Sequence, residues 1–267
     1  MSGEVARFGW GTIACGRTCW SYGEHGGNNV EAGAVDLSPH RIRGLVFLVA
    51  CVGALAAAAV AAAHSSQPAR KLASESVSYT TADQALARSV VLRRGDLDPT
   101  ISWRGGQTTP SNAQPRTCAG FQPRVSGLVV TGAAASDYSD GSGTMVFHNE
   151  VQVLRTAGMA NVDWKSNVVA PAAVNCLRSF IAKSLPASEQ LTSFRPLGLP
   201  RIAPHTAAFR ATLTTDAGAK VLLDVIFVGI GRTEITLETT APVGSGDRAT
   251  TAEKNLAQTL AARAKHS

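Results

Sequence analysis

The sequence predicts an α+β domain, a twisted antiparallel sheet with helices packed on it, preceded by one N-terminal transmembrane or signal helix. Two observations predict this architecture. An apolar run without charges occupies residues 44–63. Beyond it the blocks follow the order helix, strands, two helices, three strands, helix. Because strands and helices occur in separate runs instead of alternating, an α+β arrangement is favoured over a parallel α/β fold.

The apolar run determines where the rest of the chain resides. Its length is about the 20 residues that are needed to cross a hydrocarbon core. Arg41 and Arg43 directly precede it, and basic residues on that side favour a cytoplasmic N-terminus and an exported C-terminal part. We therefore expect a single-pass anchor in the cell membrane, with the C-terminal domain extracytoplasmic.

Two other fates of the run remain open. Residues 48–51 end in Cys51 and resemble a lipidation site, but apolar residues continue after this cysteine. Ala61 and Ala63 form the A-x-A pattern that signal peptidase reads, so a protein cleaved after Ala63 would be secreted. The 43 preceding residues are long for a signal peptide, and translation starting near Val35 would shorten them. The sequence favours the uncleaved anchor.

The segments on either side of the run are polar. Residues 1–43 are rich in Gly, Ser, Asn and Thr and are predicted to be a disordered tail. Cys15 and Cys19 lie in it with CxxxC spacing, and no second cysteine pair is present to complete a zinc site. Residues 64–78 are predicted to be a linker, and residues 79–267 form the extracytoplasmic domain.

The charge of the chain argues against a nucleic-acid partner. Residues 1–43 are balanced, and the remainder carries 21 basic and 15 acidic residues, which account for the net charge of +6. This excess is spread thinly, and no window combines clustered Lys and Arg with aromatic stacking residues, as nucleic-acid binding would require. A loose attraction to an anionic cell envelope is the expected consequence.

The first half of the domain contains a helix, two strand-like runs and two more helices. Thr81 and Gln84 have the spacing of a capping box, and the helix is expected to continue to Gly95, before a loop over residues 105–115. Strand-like residues follow at 128–130 and 145–153, with a turn signal at 137–143. The helical elements are then marked by apolar spacing from Ala157 to Val168 and by Pro171, which suits the first turn of a helix.

The last third gives the clearest patterns. Residues 209–214 and 234–238 alternate between apolar and polar, and residues 221–228 are almost wholly apolar, which predicts a central strand that is buried on both faces. Short turns at residues 216–218 and 229–231 suit antiparallel hairpins. A final helix is expected over residues 247–265.

Cys118 and Cys176 are the only cysteines after the apolar run. Export places them in oxidising surroundings, so we expect a disulfide between them. It would tie the loop before the first strand to the second middle helix. Closing such a loop stabilises a fold by about 4 kcal/mol in the chain-entropy model.

The layout resembles the PknH-like sensor domain, an actinobacterial family found outside mycobacterial receptor kinases and in secreted proteins and lipoproteins. The residues that carry the resemblance are Ala85-Leu86, Asp96-Leu97, Trp103, Cys118, residues 147–153, Ala157, Cys176, residues 207–210 and residues 225–235. The resemblance implies an α+β unit with a central ligand-binding cleft. This chain has no kinase before the apolar run and one cysteine pair where the kinase sensor has two, so kinase signalling is not carried over.

Six side chains are candidate ligand contacts: Trp103, Tyr138, His148, Glu150, Arg210 and Asp224. The two aromatic residues are expected to border a cleft. His148 and Glu150 share one strand face, which suits either a solvated surface or a catalytic pair. Asp224 is a carboxylate inside an apolar strand, and since a buried charge needs a partner, Arg210 on a neighbouring strand is expected to pair with it.

No catalytic constellation stands out. The chain lacks the G-x-S-x-G nucleophile elbow, and Asp137 and Asp140 flank a turn, where side-chain hydrogen bonds to the backbone are the ordinary use. No cofactor or metal is predicted. The leading hypothesis is a non-catalytic, membrane-tethered sensor-like domain that binds a small envelope ligand or a partner protein. The alternatives are a secreted hydrolase-type enzyme that uses His148 and Glu150, and a purely structural envelope protein.

Overall fold

A computed structural model of the chain describes residues 6–8, 11–13, 76–111 and 117–266. The helices are α1 (Thr81–Val90), α2 (Ala157–Asp163), α3 (Pro171–Ser184) and α4 (Gly246–His266). The strands are β1 (Ala6–Phe8), β2 (Gly11–Ile13), β3 (Ser76–Val77), β4 (Trp103–Thr108), β5 (Val129–Asp140), β6 (Val146–Leu154), β7 (Glu189–Pro196), β8 (His205–Thr215), β9 (Lys220–Ile230) and β10 (Thr233–Pro242). β1 and β2 pair with each other as an antiparallel hairpin.

The other eight strands form one sheet in the order β3-β5-β6-β10-β9-β8-β7, with β4 also paired to β5. The pairs are antiparallel except for β3 with β5. β8, β9 and β10 are consecutive hairpins, and their short turns at residues 216–219 and 231–232 allow this meander. The predicted α+β architecture, an antiparallel sheet with helices packed on it, is confirmed.

The sheet has two differently covered faces. On the first, which we call the α1/α4 face, the two helices pack on a large apolar core that includes Phe147, Ile226 and Leu237. On the opposite face, the α3 face, Leu177 and Ile181 pack on β8 and β9. β9 has an almost continuous apolar sequence because both of its faces are covered. The sequence predicts such a central strand.

The first helix departs from the prediction at both ends. Its N-cap is Thr80, whose hydroxyl accepts from the backbone N–H of Asp83 at 3.1 Å, one residue earlier than the predicted capping box. Gln84 does not reach back to the cap, because its side-chain oxygen accepts from the N–H of Ala133 in β5 at 3.3 Å. The helix ends at Val90, and a separate 3₁₀ turn over Arg94–Asp96 follows.

Within the domain predicted over residues 79–267, the sequence patterns missed two strands. β4 occupies part of the predicted 105–115 loop, although its residues are mostly exposed and include two glycines. β7 is an edge strand with a polar, largely exposed sequence and a register shift between Leu191 and Ser193. Neither strand has the apolar alternation from which strands are recognised.

The middle helices follow the prediction closely. α2 continues through a π-helical turn over Trp164–Val168, so that helical structure spans the predicted segment. Pro171 stands at the start of α3, and Leu177 and Ile181 face inward. Cys118 and Cys176 form the predicted disulfide, which joins the loop before β5 to α3.

The predictions for the N-terminal region lie mostly outside the described residues. These are the disordered tail over residues 1–43, apart from the β1-β2 hairpin, the apolar segment 44–63, the cleavage after Ala63 and most of the linker. Residues 76–78, at the end of the linker, already belong to the sheet through β3. In the described part of the chain no helix is long and apolar enough to cross a membrane.

Candidate functional site

The six candidate residues do not converge on one site. Trp103 and Tyr138 are buried in the core of the α1/α4 face. His148 and Glu150 point to the opposite face, because Phe147 and Val151, which alternate with them in β6, belong to that core. Arg210 and Asp224 lie opposite each other in β8 and β9 and pair beneath α4. The sequence thus predicted residues from three separate places.

A cleft of about 710 Å³ opens on the α1/α4 side, between the segment 95–103 and the first half of α4. Its apolar lining consists of Leu97, Pro99, Ile101, Trp103, Met145, Phe147, Ala252 and Leu256. Its polar lining consists of Asp96, Asp98, Asp247, Arg248, Thr251 and Asn255. An apolar floor with a few polar groups at the rim is the common form of a small-molecule pocket.

Trp103 is the fixed centre of the floor. Its indole N–H donates to the carbonyl oxygen of Asp98 at 3.0 Å, and its ring lies 5.4 Å from that of Phe147 in a tilted arrangement. Arg94 donates to its carbonyl oxygen. Since the side chain is 4% exposed, the floor is preformed and does not need to rearrange around a ligand. Tyr138 is buried behind it and does not line the cleft.

The rim offers groups of both charges. Asp96 is already paired with Arg263 of α4, which ties the segment to the helix. Asp98 accepts hydrogen bonds from the backbone and hydroxyl of Thr100, which lower its pKa. Arg248 and Asn255 are exposed on α4. A ligand with an apolar part on the floor could therefore present either a donor or an acceptor to the rim.

A second group of polar side chains, the acidic cluster, lies on the α3 face and consists of Asp137, His148, Glu150 and Glu238. Nδ1 of His148 lies 2.5 Å from Oδ1 of Asp137, and Glu238 is the cross-strand neighbour of His148. Oε2 of Glu150 accepts from the hydroxyl of Ser111 at 3.3 Å. In the described chain no three His, Cys, Asp or Glu side chains are arranged to hold a metal ion.

Burial and mutual charge set the protonation of this cluster. Burial alone would lower the pKa of His148, but the hydrogen bond to Asp137 and the charges of Glu238, Asp137 and Glu150 raise it to about 9. Burial raises the pKa of Glu238 to about 7, against the opposing effect of His148. The cluster therefore holds an imidazolium at neutral pH, which stabilises the carboxylates around it.

The arrangement gives no support to a hydrolase. A general base needs an open nitrogen within hydrogen-bond reach of a nucleophile. His148 instead turns Nδ1 towards the half-exposed Asp137, while Nε2 is enclosed and has no hydrogen-bond partner among the described residues. The nearby Ser111 hydroxyl bonds to Glu150 and not to the imidazole. A contact between Nδ1 and a carboxylate also occurs in a catalytic triad, but here Nε2, the nitrogen that would face a nucleophile, is enclosed.

The pair of Arg210 and Asp224 forms as predicted. Nε and Nη2 of Arg210 donate to the two carboxylate oxygens of Asp224 at 2.7 and 2.5 Å, and Nη2 also donates to the Thr250 hydroxyl of α4 at 2.8 Å. Glu253 lies beside them, wholly buried. Burial and the charge of Asp224 raise the pKa of Glu253. This network holds α4 on the sheet and offers no opening to a ligand.

Sequence reasoning missed most of the cleft. Its walls come from residues 95–101, which read as a helix end and a loop, and from Thr251, Ala252 and Asn255 on α4. These positions carry no motif. The one available signal was Trp103, a large aromatic residue in an otherwise polar stretch.

No family model matches the chain, and no curated protein matches it. Two solved structures are similar in backbone arrangement. The extracellular domain of PknH from Mycobacterium tuberculosis has 12% sequence identity and a TM-score of 0.42, and the match covers 66% of this chain and 95% of that one. A putative uncharacterised protein of Mycobacterium smegmatis has 10% identity and a TM-score of 0.38, with 67% and 98% covered.

Proposed function

We propose that the chain is a membrane-tethered, extracytoplasmic and non-catalytic domain that binds a small amphiphile of the cell envelope in the cleft between residues 95–103 and α4. The observation that carries the proposal is the cleft itself. It combines a volume of about 710 Å³, a rigid aromatic floor and a rim of charged and amide groups. Pockets that bind small molecules fall within about 300–1,000 Å³ and have this distribution of polar groups.

Topology supports the same function. The apolar segment 44–63 with its flanking arginines predicts export of the domain. The disulfide between Cys118 and Cys176 suits an oxidising compartment. Beside a membrane, amphiphiles are the abundant small molecules whose apolar part would fill an apolar cleft, because burial of apolar surface drives their binding.

A photoaffinity experiment tests the proposal. Membranes that contain the full chain are incubated with a palmitic acid analogue carrying a diazirine and an alkyne, irradiated, and analysed by peptide mass spectrometry. We expect labels within residues 95–103 or 247–256. Labels within residues 44–63 report contact with bulk lipid and serve as an internal reference for the amount of probe.

Replacing either of two alanines of α4 by phenylalanine shows whether the labels depend on the cleft. Ala252→Phe fills the cleft and should remove the cleft labels, while Ala262→Phe, on the exposed side of the same helix, should leave them unchanged. If the wild type is labelled only within residues 44–63, or if Ala252→Phe is labelled as strongly in the cleft as the wild type, the cleft is not a binding site and the proposal fails.

A further inference from the structure

A second cavity, of about 480 Å³, lies at the outer edge of β5 and shares no lining residue with the cleft. Both β3 and β4 pair with this edge, but at different ends. β3 is opposite Val129 and Val130, and β4 runs from a position opposite Asp140 to its last residue, Thr108, opposite Ala135. Among the described strands none covers residues 131–134 on this side, so the sheet has a gap there.

The gap is a fixed feature of the fold. Gly132 lets the first turn of α1 approach β5 closely. The side-chain oxygen of Gln84 accepts from the N–H of Ala133, and the carbonyl oxygen of Thr131 accepts from the N–H of Thr80 at 2.8 Å. α1 therefore satisfies backbone groups of the edge strand without filling the space beside it.

Several side chains around the cavity have unused hydrogen-bonding capacity. The oxygen of Gln84 is engaged, which leaves both amide hydrogens free. Arg88, Gln107 and Thr109 also line the cavity, and all three are exposed, so that their polar groups are accessible to a ligand. Amides offer a donor and an acceptor side by side, and guanidinium offers several donors in a plane.

An aromatic ring completes the lining. Tyr79 borders the cavity and is 44% exposed, which makes it one of the few large exposed apolar side chains of the described chain. Burial of part of the residue and the charge of Glu150 raise the pKa of its hydroxyl, so the phenol is neutral and can donate as well as accept. The ring offers a flat apolar surface next to polar groups.

From this lining we infer a sugar-binding site, in which a sugar ring packs on Tyr79 and its hydroxyls bond to Gln84, Arg88 and Gln107. A sugar ring has an apolar C–H face and a rim of hydroxyls that each donate and accept. The cavity offers the matching set of one aromatic face and several side chains with free donors and acceptors. The inference goes beyond the amphiphile proposed for the cleft and does not depend on it.

Other ligand classes fit less well. An apolar molecule would leave the amides and the guanidinium of the lining without partners, which is costly once water is excluded. An inorganic anion would be held by a single cation, Arg88, since the other polar lining residues are neutral. An added β-strand would meet only residues 131–134, between two strands already paired with this edge.

The test uses the full chain in lipid nanodiscs, because sugar-based detergents would compete for the site. Saturation-transfer NMR is recorded with the methyl glycosides of N-acetylglucosamine, mannose and arabinose, and with trehalose. We expect saturation transfer to at least one of the four. Loss of the aromatic ring in Tyr79→Ala should raise the Kd for the bound sugar by about tenfold. Arg88→Gln should also weaken sugar binding.

Matched variants define the outcomes. Val169→Ala and Arg178→Gln change exposed residues elsewhere and should leave sugar binding unchanged. Ala252→Phe should leave it unchanged as well, which separates this site from the cleft. If none of the four sugars receives saturation from the wild type, or if binding is equally strong in Tyr79→Ala and Arg88→Gln, the site is not a sugar site.

Discussion

A β-carbon on Gly132 would lie 2.1 Å from the carbonyl oxygen of Asp83, so the first turn of α1 touches the backbone of β5 directly. Asp83 in turn receives two hydrogen bonds from Arg232, at 2.8 and 2.5 Å. The guanidinium of Arg232 lowers the pKa of Asp83 to about 2. The glycine and the ion pair together fix the position of α1, which walls the edge cavity.

Substitution of Gly132 by alanine should therefore displace α1. The added methyl group meets backbone, which cannot move aside cheaply, and we expect a loss of about 2–4 kcal/mol in the free energy of unfolding. Urea denaturation followed by circular dichroism measures it. Gly106→Ala is the matched control, because no atom lies within 4 Å of its added carbon. Equal losses in the two variants would contradict the close contact.

The disulfide should contribute strongly to stability. The double variant Cys118→Ser and Cys176→Ser opens a bridge between residues 58 apart, and we expect it to lose about 4 kcal/mol. Thermal unfolding with and without dithiothreitol measures this. The reductant should lower the Tm of the wild type and leave that of the double variant unchanged. A wild-type Tm that does not respond to reduction would argue against a stabilising bridge.

Removing one partner of the buried ion pair should lower the free energy of unfolding more than replacing both partners by apolar residues. Asp224→Ala removes the carboxylate that accepts two hydrogen bonds from Arg210, and breaking a buried ion pair in this way costs about 3–5 kcal/mol. The double variant Arg210→Met and Asp224→Leu removes both charges and should recover most of the loss. Chemical denaturation compares the two. If the double variant is as unstable as Asp224→Ala, the loss comes from packing and not from the unpaired charge.

Glu253 should make stability depend on pH. Because its pKa is raised in the folded state by burial and by Asp224, the folded protein retains a proton that the unfolded chain releases above the ordinary glutamate pKa. Its contribution is complete at low pH and is lost as the pH rises towards the folded pKa. Glu253→Gln should therefore match the wild type near pH 5 and exceed its stability at pH 8.

The control for this prediction is Asp216→Asn, a change in an exposed turn. Its stability difference from the wild type should be the same at both pH values. If Glu253→Gln shows a constant difference from the wild type between pH 5 and 8, Glu253 does not carry a shifted pKa.

In the acidic cluster, His148 should stay charged well above neutral pH, because the surrounding carboxylates stabilise its protonated form. Nitrogen-detected NMR of the imidazole should follow the pKa of His148 at about 9. Asp137→Asn removes a hydrogen bond and a negative charge, so the pKa should fall. Glu238→Gln removes a second charge and should lower it too. An imidazole that titrates identically in the wild type and in both variants would contradict the cluster.

The raised pKa of His148 should also make the stability of the protein depend on pH. A folded pKa above the unfolded value means that the contribution of His148 is complete below about pH 6.5. It is then lost as the pH rises through about 9. Asp137→Asn should reduce this alkaline loss.

The sequence predicted those parts of the fold that depend on apolar periodicity. β9 and the inward positions of α3 are found where the pattern placed them, since a continuous or periodic apolar run has few ways to become buried. The Arg210–Asp224 pair could also be predicted, because a carboxylate within such a run must find a cation. β4 and β7 were not predicted because they lie at exposed edges of the sheet, where neither face requires apolar residues.

The candidate sites were harder to predict for a physical reason. The cleft and the edge cavity are spaces between elements, and their linings join residues far apart in sequence, such as Trp103 with Leu256 and Tyr79 with Gln107. Their side chains need no shared motif. What decides the spaces is the packing of the two helices. α1 is positioned by the close contact at Gly132 and the ion pair of Asp83 with Arg232. α4 is held by the hydrogen bond of Arg210 to Thr250 and the ion pair of Asp96 with Arg263.

The strand β7 has a consequence for how the protein behaves at high local concentration. Among the described strands it is the outermost on the side opposite to β3 and β4, where exposed backbone groups would allow a neighbouring chain to extend the sheet. Three features of β7 interfere with such pairing. Its register shifts after Leu191, Arg195 is exposed, and the final Pro196 has no N–H to donate. Crowded side by side, copies of the chain should therefore resist polymerisation through this margin.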